Sequence, residues 1–256
     1  MNGILDHISV EIILPNYNSS PYIEKTLDSI INQSFKNWKL LIVDDHSNNE
    51  TKDIIKKYIS NKKIKIIWLK KNKGAGFCRN LAIRNSKSEY IAFIDSDDIW
   101  EKEKLSKQLN FMIKNKYHFT YTNYIPFKSE KKINNLIEIK PTKYFTFDKF
   151  IRNTSIATST MIIKKSSIKN TKFSNTKICE DYFFKCQILK KVNFAYCLSE
   201  NLMIYRIRKN SLQSNKMRNL YWIWYINKKY NKMNFFNNLL SVFFISLSSI
   251  KRYGIK

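Results

Sequence analysis

Tyr90-Ile91-Ala92-Phe93-Ile94-Asp95-Ser96-Asp97-Asp98 sets five apolar residues directly ahead of three carboxylates. A short uninterrupted apolar run of this kind is the pattern of a fully buried strand. Strands of open α/β sheets deliver ligand-binding groups at their carboxyl ends. Carboxylates packed this closely repel one another unless a cation, or a substrate carrying one, lies between them. Asp is also a favoured helix N-cap, so the same residues can open a helix near Trp100. The nine residues alone leave metal site and cap both open.

The neighbours repeat the arrangement. Residues 8–14 read as a strand ending at Pro15-Asn16-Tyr17-Asn18, where Pro15 is expected to break the ladder and turn the chain. Ile23, Leu27, Ile30 and Ile31 then follow at helical spacing. Residues 39–43 form a second buried strand, ending on Asp44-Asp45-His46-Ser47, with a helix over 51–60 behind it. A third strand, 64–69, leads to Asn72-Lys73-Gly74-Ala75-Gly76 and a helix over 77–85. Strand and helix alternate, which implies a largely parallel sheet wrapped by helices. All four polar motifs then gather along one sheet edge, where nucleotides bind. Asp44 or Asp45 suits a base or ribose, and Tyr17 can stack on a base. Gly74 opens a helix whose free amides suit a phosphate, with Arg79 one turn further in. Two of the four glycines of the chain fall in that loop, a sign of a backbone requirement.

Composition bounds the rest. The chain has 256 residues, 43% of them hydrophobic, enough for roughly one or two domains. Lys and Arg number 46 against 20 Asp and Glu, a formal net charge of +26. Such an excess fits a polyanionic partner, or a general bias toward lysine, since the lysines are spread out rather than blocked. The four cysteines form no CxxC pair and suggest neither a zinc site nor a disulfide framework. Residues 1–7 lack the features of a signal peptide, and no apolar run reaches spanning length, so a cytoplasmic chain, soluble or peripheral to the membrane, is expected.

In order, spacing and strand-end placement, Ile13-Leu14-Pro15-Asn16-Tyr17-Asn18, Val43-Asp44-Asp45-His46-Ser47, Gly74-Ala75-Gly76-Phe77-Cys78-Arg79-Asn80 and Asp95-Ser96-Asp97-Asp98 resemble the family 2 glycosyltransferases of the GT-A fold. The resemblance covers about the first 110 residues. It implies an α/β fold with a Rossmann-like, mostly parallel sheet flanked by helices, a mixed acceptor-side half and a helical C-terminal tail. It implies a nucleotide-sugar donor, usually a UDP-sugar, and a Mn²⁺ or Mg²⁺ ion. Carried over by position, Tyr17 and Asp45 meet the uracil and Pro15 contributes its backbone. Asn18, Asp44, Gly74, Arg79 and Ser96 join the nucleotide-sugar site. Asp95 faces the ribose or sugar phosphate, Asp97 ligates the metal, and Asp98 is left as a possible cap. Cys78 stands where the family usually has a small residue and is expected only to pack.

The second half is less regular. Residues 117–125 alternate as a strand, 128–142 read as a surface loop or hairpin, and 147–152 as a short helix. A strand with a hydroxyl-rich start is expected over 156–163, with Thr158 and Ser159 as candidates near the acceptor. Glu180-Asp181 before an aromatic helix can simply favour the helix dipole. The resemblance assigns Asp181 as catalytic base, with Glu180 supporting it. In Tyr205-Arg206-Ile207-Arg208-Lys209-Asn210-Ser211, Arg208 stands where the family often has His, and a guanidinium there suits a diphosphate.

After Glu200 no Asp or Glu occurs, while eleven Lys and Arg remain. Residues 221–226 are aromatic and 239–250 strongly apolar, a combination that suits an anionic membrane surface. The expected division is a catalytic domain over 1–215, with a nucleotide-sugar half at 8–115 and an acceptor half at 116–215, and an extension over 216–256.

With the base that the resemblance assigns, one carboxylate without a paired nucleophile implies direct displacement, hence inversion at the anomeric centre; the resemblance implies a metal-dependent hexosyltransferase. By resemblance the acceptor is a lipid-linked glycan of O-antigen, capsule or lipooligosaccharide synthesis, placing the enzyme at the inner face of the cytoplasmic membrane. A nucleotidyltransferase would share the sheet and the metal-bound aspartates, but residues 16–21 lack the basic phosphate loop it needs. A nucleic-acid binder would share the charge, but no zinc, helix-turn-helix or RNA-recognition signature accompanies it.

Overall fold

The computed structural model describes residues 5, 7–127, 138–208 and 215–253. Its first half alternates as the sequence implies: β1 (Val10–Asn16), α1 (Ile23–Ile31), β2 (Trp38–Asp44), α2 (Asn49–Lys56), β3 (Ile64–Trp68), α3 (Ala75–Asn85) and β4 (Tyr90–Phe93). These strands run parallel in the order β3-β2-β1-β4. Every residue of β1 and β4 is buried, because helices cover both faces. Alternate residues of β1 serve the two cores. Ile12 and Leu14 pack with Ile23, Leu27 and Ile30 of α1, while Ile13 joins Cys78 and Ala82 of α3.

Then come β5 (Ile99–Trp100), α4 (Lys104–Lys114), β6 (Phe119–Phe127), β7 (Tyr144–Phe145), α5 (Phe147–Phe150), β8 (Ile162–Lys164), α6 (Lys165–Ile168), α7 (Glu180–Val192), β9 (Ala195–Arg206), α8 (Lys216–Lys229) and α9 (Phe235–Tyr253). The sheet continues beyond β4 as β8-β6-β9-β5, with β7 also on β9. β8 and β5 pair antiparallel with their neighbours. The two expected halves therefore share one nine-stranded sheet. α8 and α9 are joined to it, since Ile223, Ile226 and Ile245 lie in the same core as Phe93 and Phe184.

Three local expectations are corrected, and one strand appears beyond those expected. Pro15 does not end its strand: it pairs with Val43, and Asn16 with Asp44. Ile13 faces β4, where its carbonyl accepts from Ile94, and Pro15, two residues on, faces the same side. β4 has ended by then, so no partner is denied a donor. Ile99-Trp100 pair with Ile204 and Met203 of β9, and the helix starts only at Lys104. Thr158–Thr160 form a 3₁₀ turn, so the strand over 156–163 shrinks to β8. β9 is a strand that the pattern hides, because Ser199-Glu200-Asn201 interrupt its apolar run and its register with β6 slips there. Residues 128–137 of the expected loop and Lys209-Asn210-Ser211 of the Tyr-Arg segment lie outside the described residues.

α7 is held at the centre by aromatic packing. Phe184 is fully buried, stacked on Phe173 at 4.0 Å and edge-on to Phe93 at 5.8 Å. Phe184→Ala is expected to cost about 3–5 kcal/mol. Chemical denaturation should show a lower midpoint with an unchanged slope.

Candidate active site

Asn16 organises the end of β1. Its amide donates to Asp44 Oδ2 (2.7 Å) and Ser47 Oγ (3.2 Å), and its carbonyl oxygen accepts from Ser19. Asp44 also accepts from Ser47 N at 2.9 Å and is fully buried. This corrects its expected place among the ligand contacts: Asp44 braces two loops from within. Asn18 accepts from Asn48 N and thereby ties the β1 loop to the start of α2. Tyr17 stands 51% exposed beside it, with its ring available for stacking.

Asp45 accepts from the backbone of Lys73 (2.6 Å) and Gly74 (2.7 Å), fixing the loop ahead of α3. Gly74 holds φ +87°, a conformation that L side chains rarely adopt. Cys78 N is the amide that bonds back to Gly74 O. The amides of Ala75, Gly76 and Phe77 therefore have no acceptor within the helix. Cys78 is fully buried, and burial pushes its thiol up to about 12, in keeping with a packing role.

The acidic turn divides into an inner and an outer part. Asp98 is buried and accepts from Ser159 Oγ (2.5 Å) and Arg206 N (3.0 Å). It caps no helix; it joins the turn to the 3₁₀ segment and β9. Burial, then the Asp97 and Asp95 carboxylates, push its pKa well above the usual carboxylate range. Asp95, Ser96 and Asp97 are half-buried at the rim. Asp97 Oδ2 lies 2.7 Å from Arg208 Nε, a charge contact that is not an aligned hydrogen bond. Burial pushes the Asp97 carboxyl up to about 6, against the pull of Arg208 and with the push of Asp95. The guanidinium carbons of Arg206 and Arg208 lie 4.9 and 5.6 Å from the Tyr22 ring, which positions both.

Arg79 does not face a phosphate. It is 4% exposed and joins two motifs 85 residues apart in sequence, with Nη2 2.6 Å from Asp95 Oδ1 and Nη1 2.8 Å from Glu180 Oε1. Burial works against its charge, but the two carboxylates outweigh that and raise its pKa. Phe173 lies against the guanidinium at 5.2 Å. Gly76 makes room for the junction: a Cβ there would meet Ser174 O at 2.8 Å and Glu180 Cγ at 3.0 Å. The glycine pair thus serves two ends, a turn at Gly74 and a close approach at Gly76.

Asp181, beside Glu180, is gripped by Lys185 Nζ (2.7 Å) and Thr158 Oγ1 (3.0 Å). Lys185 is 3% exposed, and its ammonium also donates to Ile156 O and Thr158 Oγ1. Burial would raise the Asp181 carboxyl, but Lys185, Arg79 and Thr158 hold it down at about 2. Glu180 moves the other way: burial raises it despite Arg79. Thr158 and Ser159, candidates for acceptor contacts, instead brace Asp181 and Asp98 respectively. Lys185 was not anticipated. Only its i, i+4 spacing from Asp181 on a helix could have pointed to it.

Among the described residues no group of three or more His, Cys, Asp or Glu forms a metal cage. Of the rim carboxylates Asp95 is engaged by Arg79, which leaves Asp97 as the candidate donor. A single carboxylate fits a hard cation that completes its shell with substrate phosphates and water, as Mg²⁺ commonly does. The raised Asp97 carboxyl is consistent with that, since a cation there would relieve the burial of its charge.

The model of the family described as glycosyl transferase family 2 matches residues 11–171. The chain is 33% identical over 228 residues to the putative teichuronic acid biosynthesis glycosyltransferase TuaG of Bacillus subtilis, covering 88% of this chain and 90% of that protein. It is 31% identical over 225 residues to WfgD of Escherichia coli, named a UDP-Glc:alpha-D-GlcNAc-diphosphoundecaprenol beta-1,3-glucosyltransferase, covering 86% and 85%. Among solved structures it is similar to the mannosyltransferase PcManGT of Pyrobaculum calidifontis in complex with GDP-Man and Mn²⁺, with TM-score 0.71, 14% identity and coverage of 98% and 72%.

Arg79→Met leaves Glu180 as an uncompensated, largely buried charge and takes the partner from half-buried Asp95, a loss expected to cost about 3–5 kcal/mol. Without the guanidinium the folded state binds protons more tightly there, so the deficit should shrink as pH falls. Denaturation of wild type and variant at pH 8 and pH 5 measures both effects.

Proposed function

The chain belongs to glycosyl transferase family 2 and has the GT-A fold, and on that premise we propose that it transfers a sugar with inversion from a nucleotide diphosphate sugar, a UDP-hexose or UDP-N-acetylhexosamine, to a hydroxyl of a lipid-linked glycan. The product belongs to a cell-surface polysaccharide such as O-antigen, capsule or lipooligosaccharide. The observation that carries the proposal is the Arg79 bridge, which sets the acidic rim beside the Glu180-Asp181 helix start. Support for the donor and acceptor classes comes from WfgD, whose name gives UDP-Glc as donor and a diphosphoundecaprenol-linked acceptor. The site of action is the inner face of the cytoplasmic membrane, met by the basic extension over 216–256. Among the described residues no helix is long and apolar enough to cross a membrane.

In this proposal Tyr17 stacks on the base, and Asp45 and the Pro15 backbone orient it. Asn18 and Gly74 shape the loops that receive the nucleotide. Asp95 and Ser96 face the ribose and sugar phosphate. Arg208 leaves Asp97 to meet the diphosphate, for which a guanidinium is well matched. Asp97 would hold Mn²⁺ or Mg²⁺. When bound, that ion supplies charge neutralisation for the departing diphosphate; PcManGT is named in complex with Mn²⁺.

Asp181 takes the proton of the acceptor hydroxyl as its oxygen attacks the anomeric carbon and the bond to the diphosphate breaks. A carboxyl held at about 2 is ionised throughout the working range but weakly basic, so the proton moves as the new bond forms. Glu180 is committed to Arg79, leaving a single carboxylate for the chemistry. That arrangement supports direct displacement and inversion.

Asp181→Asn is expected to lower kcat by about 10²–10⁴-fold. Stabilisation by UDP with Mn²⁺ should be retained in Asp181→Asn and lost in Asp97→Asn. Transfer from a panel of nucleotide sugars, with thermal shift alongside, checks the pair; unimpaired transfer in both variants overturns the assignment.

Lys185→Met removes the ammonium that keeps Asp181 acidic, so the acid limb of the kcat profile should move to higher pH. Lys185→Arg should restore much of the wild-type profile. A stability defect alone would lower the rate without moving the limb.

A further inference from the structure

α9 is attached to the protein by its polar side. Asn238 and Ser241 are buried: Asn238 Nδ2 donates to Trp224 O at 3.0 Å, and Ser241 donates to Ile151 O. Asn227 of α8 donates to both, to Asn238 Oδ1 at 3.1 Å and Ser241 Oγ at 3.0 Å, and accepts from Tyr182 OH. Ile245 is the apolar residue fully enclosed on this side. The opposite face carries Phe236, Leu239, Leu240, Phe243, Leu247 and Ile250, each 41–74% exposed. A surface helix of a water-bathed protein has the reverse arrangement, its apolar stripe toward the core. An apolar row of this extent marks contact with another apolar phase or partner.

The surroundings select the occupant. No acidic residue follows Glu200, and Lys251-Arg252 close the helix while Lys228-Lys229 close α8. A second copy of the chain would bring the same basic rim against this one, an unfavourable pairing. The polar inner side makes spanning impossible, whereas an apolar outer row with basic ends suits a helix lying in the interface of an anionic bilayer.

We propose that α9 lies in the plane of an anionic phospholipid membrane, with Phe236, Leu239, Leu240, Phe243, Leu247 and Ile250 in the acyl boundary and the basic helix ends at the headgroups. The inference deepens the membrane-surface part of the proposed function and rests on it, but requires no acceptor or donor to be bound. Insertion is carried by the apolar face, with charge serving orientation and lipid preference.

The test is flotation of the full chain with vesicles of phosphatidylcholine alone or with phosphatidylglycerol, combined with mass measurement by light scattering. Binding is expected to vesicles containing phosphatidylglycerol, to weaken at least tenfold in phosphatidylcholine, and to be lost in the Phe236→Ser, Phe243→Ser, Leu247→Ser triple variant. These side chains are exposed, so circular dichroism and transfer to a water-soluble acceptor should be unchanged. Binding that survives the triple substitution, or a dimer dispersed by it without vesicle binding, overturns the inference. Vesicle binding with no transfer from any nucleotide sugar would instead overturn the enzymatic proposal and leave this one standing.

Discussion

A single buried guanidinium holds the two acidic motifs of this protein in register. Arg79 leaves α3 inside the core and ends between Asp95, after β4, and Glu180, at the start of α7. Without a cation between them, Glu180 in its largely buried position and Asp95 at the rim would both lack a partner for their charge. With Arg79 between them they become a pin linking the turn after β4 to the start of α7. Gly76 belongs to the same device, because any larger residue would push Glu180 away from the guanidinium.

A second set of ties runs parallel to the first. The 3₁₀ turn offers Thr158 to Asp181 and Ser159 to Asp98, so two adjacent hydroxyls bind the two acidic motifs again. Lys185 completes the set from the next turn of α7. The outcome is an electrostatic gradient across a few side chains: Asp181 held acidic, Asp97 and Glu180 pushed upward. Separation of carboxyl affinities within one site is the usual means by which similar groups take different parts in catalysis. In a chain of net charge +26, these carboxylates are concentrated around one sheet edge, while no Asp or Glu follows Glu200 in the C-terminal helices.

The tail carries part of the basic excess of the chain. α8 and α9 close the core with a few apolar residues and a polar network, and turn Phe and Leu side chains outward. The catalytic domain is thereby joined to a surface whose chemistry differs from the rest of the exterior. Under the proposed function, attachment of α9 to a membrane would raise the local concentration of a lipid-linked acceptor.

Periodicity and strand-end motifs made the parallel first half legible, together with its edge of polar loops, because buried strands and amphipathic helices write their burial into residue order. Asp95, Asp97 and the Gly74 loop were visible for the same reason. The partners of those residues were not. Pro15 reads as a terminator until β4 is seen to stop short of it, and Arg79 reads as a phosphate ligand until Glu180 is seen beside it. β9 is concealed by a polar interruption, and Lys185 by its place in a core that seldom admits lysine. The direction in which α9 presents its apolar side depends on what the rest of the chain packs against it. Local order determined the elements and the kinds of chemistry they carry; contacts between residues distant in sequence decided which charges meet, because electrostatic and packing energies follow distance in space.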